Sequence, residues 1–147
     1  MKNISFLILL LLSFNCLSQE TILDCRGKGQ RQFKDKVEIE YEHEFLLYFD
    51  EQKNTVHLGE YGTMCDAGRV LSGSKFTEQH DIDKNTIEYS CVVSYYLSDR
   101  KRNQSDKISI NRATGKFTTY AMLVVDKIPD ITFNTSKGTC KKVSNQF

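Results

Sequence analysis

The chain has 147 residues, with 20 Lys and Arg, 19 Asp and Glu, and five Cys. That length allows one domain with a real core. Its near-neutral charge argues against nucleic acid or an anionic membrane surface as the main partner.

Residues 1–18, MKNISFLILLLLSFNCLS, read as a secretory signal peptide. Lys2 supplies the charged start, and an apolar core follows from Ile4 to about Phe14. That core is shorter than the roughly 20 apolar residues a spanning helix needs. Cys16 and Ser18 are the small residues before the expected cut, which falls between Ser18 and Gln19. Lipidation of Cys16 is less expected, because Phe14 and Asn15 stand where that processing takes small residues. No other run is apolar enough to cross a bilayer. Residues 19–147 are therefore expected as a single β domain, secreted or periplasmic. Losing Lys2 leaves it 19 Lys and Arg against 19 Asp and Glu.

Strand patterns dominate that domain. In VEIEYEHEFLLYFD (37–50), Val37, Ile39, Tyr41, His43 and Phe45 alternate with Glu38, Glu40, Glu42 and Glu44. Period two over this length predicts a half-buried strand with the carboxylates outside. Residues 50–54 read as a hairpin turn and 55–58 as the return strand. Residues 59–73, rich in Gly, read as loop with a short strand, and 60–71 could hide a helical turn. A turn follows at 81–85. In 86–97, Ile87, Tyr89, Cys91, Val93 and Tyr95 share one face. Residues 98–106 read as an exposed loop, 107–111 as a strand, 112–115 as a tight turn ending on Gly115, and 116–125 as the return. Short closing strands are expected at 131–133 and 138–143. About eight strands at this spacing predict an antiparallel β-barrel or β-sandwich.

With Cys16 removed, four Cys remain: Cys25, Cys65, Cys91 and Cys140. An even number in an exported chain predicts disulfides, whereas structural zinc usually takes closely spaced Cys pairs. Three pairings are open. Cys25–Cys140 with Cys65–Cys91 is the one expected, since the first would tie the domain's ends together.

No catalytic or cofactor motif stands out. Glu38, Glu40, Glu42 and Glu44 would sit about 7 Å apart along one face. They suit a cationic partner or calcium, but a solvated face neutralised by neighbouring Lys or Arg explains them better. Lys34, Lys36 and the run Arg100, Lys101, Arg102 are available counter-charges. That run also reads as an exposed loop tip able to touch an anionic glycan or a protein. His43 is placed on an inner face, and His57 could face it across a hairpin. No spacing supplies a third zinc ligand, so a buried, hydrogen-bonded His43 is the better reading. The segment 81–85 imitates a calcium loop until Thr86 replaces the required Gly and Val92 the final Glu. Asn103 and Asn134 head glycosylation sequons, relevant only in a eukaryotic host.

Ile110-Asn-Arg-Ala-Thr-Gly115 and Gly138-Thr-Cys-Lys-Lys142, with an early Cys25, resemble a loose group of small exported bacterial proteins. Members of that group end in an INRxTG hairpin followed by GxCxK. The resemblance covers roughly the last forty residues, implies export and pairing of the first and last mature Cys, and supplies no activity. In size, leader and end-tying disulfide the chain is also similar to small β-barrel inhibitors of lysozyme, although their active-loop motif has no counterpart here.

The function expected is that of a non-enzymatic bacterial envelope protein, without a cofactor, that binds a protein or glycan. The alternatives are an inhibitor of a cell-wall hydrolase, a small metal-dependent hydrolase using His43 and His57, and a carrier of hydrophobic molecules.

Overall fold

The computed structural model describes residues 20–33, 36–59, 65, 73–97, 99–126 and 131–143. The leader at 1–18, most of the 59–73 segment and Lys34 lie outside the described residues.

Eight strands form: β1 (Thr21–Phe33), β2 (Lys36–Asp50), β3 (Thr55–Leu58), β4 (Lys75–Ile82), β5 (Thr86–Leu97), β6 (Arg100–Asn111), β7 (Lys116–Val125) and β8 (Ile131–Lys142). Every pairing is antiparallel, and the order around the sheet is β3-β2-β1-β8-β7-β6-β5-β4. That order is the chain order written as a ring and cut between β3 and β4. The fold is thus an all-β, up-and-down, nearly closed barrel. At the cut, two side chains stand in for a strand ladder. The Val56 N–H donates to His80 Nδ1 at 3.0 Å. The Asn54 amide donates to the His80 carbonyl at 3.1 Å and accepts from the Ile82 N–H at 3.2 Å. Asn54 adopts a φ of 49°, a left-handed conformation that Asn tolerates better than most residues.

Alternation sets the two faces of the wall. Leu47, Phe49, Val56, Ile87, Tyr89, Val93, Ile108, Ile110 and Phe117 point inward and pack as one core with the four cysteines. The turn at 83–85 is held by Asp83, whose Oδ1 accepts from the Asn85 and Thr86 N–H groups, both at 2.6 Å. Those two bonds favour its ionised form and lower its pKa. In the INRATG hairpin, Gly115 takes a φ of 67°, and its N–H bonds the Asn111 carbonyl at 2.8 Å.

The β1–β8 seam joins the first strand to the last. Cys25 lies directly opposite Cys140, with 3.9 Å between Cα atoms, and the two are disulfide-bonded. The next inward pair is Gly27 opposite Gly138. Their missing side chains let the two backbones approach closely and leave room for an aromatic ring beside Gly138. A Cβ on Gly138 would sit 2.7 Å from the Phe117 ring, and one on Gly29 would collide with Tyr41. The second disulfide, Cys65–Cys91, ties the β3–β4 connection to the inner wall of β5, with both cysteines buried.

Several sequence expectations are corrected. Strands β1 and β4 were not anticipated. Residues 100–106 are not a loop but the first half of β6, paired along their length with β5. The two short closing strands are one continuous β8. Val37 does not face inward, because the register slips between Arg31 and Gln32 and leaves Glu38 as an extra residue. Beyond this bulge the alternation reverses, and Val37 is 50% exposed.

Candidate functional site

A groove of about 700 Å³ runs over the outer wall of β2, β1, β8 and β7. Two cross-strand rows of outward side chains line it. The first is Glu42, Lys28, Lys137 and Thr118, each opposite the next. The second is Glu40, Gln30, Thr135 and Tyr120. Lys28, Gln30, Glu40, Glu42, Thr118, Thr135 and Lys137 all border the groove. Gln30 Nε2 donates to Glu40 Oε1 at 3.1 Å.

The four predicted glutamates form the exposed outer column of β2, with Glu38 displaced by the bulge. Their neighbours differ from those expected. Arg26 and Lys28 on β1, rather than Lys36 or the 100–102 run, lie opposite Glu44 and Glu42. Arg26 is shared: its guanidinium approaches Asp24 at 3.1 Å and Glu44 at 3.8 Å. The hydrogen bond that Arg26 donates to Asp24, the Asp24 charge and then that of Glu44 raise the pKa of Arg26. Arg100, Lys101 and Arg102 begin β6, opposite Leu97, Tyr96 and Tyr95. They do not join the groove, and Arg102 is half-buried rather than at a loop tip.

The histidines separate. His57 lies opposite Tyr48 on the exposed face of β3, whereas His43 points into the barrel. The wall therefore stands between them, and they share no site. His80 belongs to the β3–β4 closure, with Nε2 3.6 Å from Glu78 Oε1. Among the described residues, no group of three His, Cys, Asp or Glu is placed to hold a metal ion, and no helix is long and apolar enough to cross a membrane.

His43 Nδ1 lies 2.5 Å from Ser136 Oγ, which lies 2.5 Å from Thr119 Oγ1. Tyr41, Phe45 and Phe117 pack around the imidazole. Burial lowers its pKa from 6.5. Below pH 6.5 the unfolded chain gains a proton that folded His43 resists, so stability falls as the pH drops. The double variant His43→Phe, Ser136→Ala is expected to flatten this slope below pH 6.5. Urea unfolding at several pH values measures it, and an unchanged slope would place the acid sensitivity elsewhere.

Lys28, Lys137, Thr118 and Thr135 carried no signal in the sequence, because only the β1–β8 and β7–β8 pairings bring them together. Neither protein-family models, nor curated proteins, nor solved structures match this chain, so the groove is read from its own residues alone.

Proposed function

We propose that this chain is an exported, non-enzymatic binding module of the bacterial envelope, and that its outer groove takes a glycan. The observation carrying this reading is the lining of the groove. Gln30, Thr118 and Thr135 offer amide and hydroxyl groups that match sugar hydroxyls as both donors and acceptors. Lys28, Lys137, Glu40 and Glu42 add charged donors and acceptors around them. Tyr120 stands exposed at the end of the second row, just outside the groove, where a sugar ring could stack on it. Two disulfides fit an oxidising compartment outside the cytoplasm. The role is read as non-enzymatic because Ser136, the serine that reaches His43, is buried in the wall and also bonded to Thr119.

A glycan array probed with residues 19–147 tests this. The wild type is expected to retain one class of polysaccharide. Thr135→Trp, which fills the groove from an outward position, is expected to weaken retention at least about tenfold. Failure to retain any glycan, or equal retention by the variant, counts against the groove.

A further inference from the structure

Lys28 and Lys137 are directly opposite one another on β1 and β8. Like charges so placed destabilise a sheet, and a fold with no use for them gains by replacing one. Glu42 lies on the far side of Lys28. Lys137 has no such relief. Its cross-strand neighbours are Lys28 and Thr118. Its diagonal neighbours are Arg26 and Gln30 on β1 and Lys116 and Tyr120 on β7. No carboxylate is among them. Arg26 already serves Asp24 and Glu44, and Glu40 is held by Gln30. Among the described residues, neither Lys28 nor Lys137 forms an ion pair, whereas Lys53 and Lys107 each do. In a domain with balanced charge overall, the acids gather on β2, and a cationic island is left across β1, β8 and β7. Thr118 and Thr135 put hydroxyl donors beside it, inside the same groove.

From this juxtaposition we infer that the groove's ligand carries an anionic group, a carboxylate or phosphate on an acidic glycan, seated between Lys28 and Lys137. The inference rests on the glycan reading of the groove and narrows it. The anion supplies the counter-charge that the sheet withholds. Glu40 and Glu42 repel a second anion along the groove, so one charged substituent is placed and its neutral neighbours extend over Gln30 and Thr135. Charged hydrogen bonds contribute more than neutral ones, which makes this contact the main source of selectivity.

The test uses a neutral oligosaccharide bearing a single uronic acid and the methyl ester of that acid, which differ by one charge on the same sugar backbone. Calorimetry on residues 19–147 at low and high salt is expected to show the acidic oligomer binding at least about tenfold tighter than the ester, the gap closing with salt. Lys137→Gln should remove the preference while leaving weak binding of the ester. Lys137→Glu separates the site from a structural role. It should abolish binding of the acid and raise the thermal unfolding midpoint, because it removes the like-charge contact with Lys28. Equal binding of acid and ester, or a preference that survives Lys137→Gln, overturns the anion seat while leaving the glycan groove standing. Binding of neither oligomer also overturns the seat, and the array then decides the groove separately.

Discussion

Replacing both Cys25 and Cys140 with alanine is expected to lower the unfolding free energy by about 4–5 kcal/mol. The bond spans a sequence separation of 115 residues, so its loss frees nearly the whole domain in the unfolded state. In the chain-entropy account, a loop of this order contributes about 4.7 kcal/mol. The folded state changes less, since the β1–β8 ladder continues on both sides of the pair from Leu23 to Phe33. Both cysteines are buried, and alanine avoids leaving an unpaired hydroxyl there. Guanidinium unfolding of the double variant measures the effect. A midpoint equal to that of the oxidised wild type would show that the ladder alone holds the seam.

Gly138→Val is expected to cost more than about 3 kcal/mol and to leave much of the protein unfolded at room temperature. A Cβ there would meet the Arg26 carbonyl, lie 2.5 Å from Gly27 Cα and press on the Phe117 ring. Two of those three neighbours are backbone of the paired strand, which cannot rotate away. Phe117 is itself buried and packs edge-on against Phe45 and His43. Relief would thus spread into the core. Gly59→Ala is the milder comparison, because its Cβ would meet Leu46 Cβ at 3.2 Å and the Tyr48 ring at 3.3 Å, contacts relieved by a much smaller shift than those at Gly138. Circular dichroism and thermal melts of the two variants should diverge sharply. Similar melts would mean that the β1–β8 approach is looser than its geometry.

The same seam explains what the sequence concealed. β2 and β5 were legible because their inner faces carry large apolar residues at strict alternation. β1, TILDCRGKGQRQF, was not, since the inward positions after Cys25 are Gly27 and Gly29. The space at Gly29 is filled by the Tyr41 ring and that at Gly27 by the β8 backbone at Lys137 and Gly138. Read alone, such a strand looks like loop. The start of β6 failed for a related reason. Arg102, Gln104 and Asp106 share the inward face with Ile108 and Ile110, so polar residues there do not mark an exposed loop. The groove failed differently. Its acidic side on β2 is contiguous and visible, but the cationic side comes from two strands at opposite ends of the chain. No local pattern could bring Lys28 and Lys137 together.

Because the strand order is a closed cycle, the point at which the chain starts is incidental to the architecture. β1 and β8 are neighbours joined by a disulfide, while among the described residues the hydrogen bonds seen between the β3 and β4 sides run through Asn54 and His80. The ring therefore has a riveted joint and a clasp. A permuted gene that fuses β8 to β1 and begins at β4 would place the new ends at the clasp and leave every ladder intact. In that permuted chain, mechanical load applied across the clasp would open the barrel into a sheet still stapled at Cys25 and Cys140.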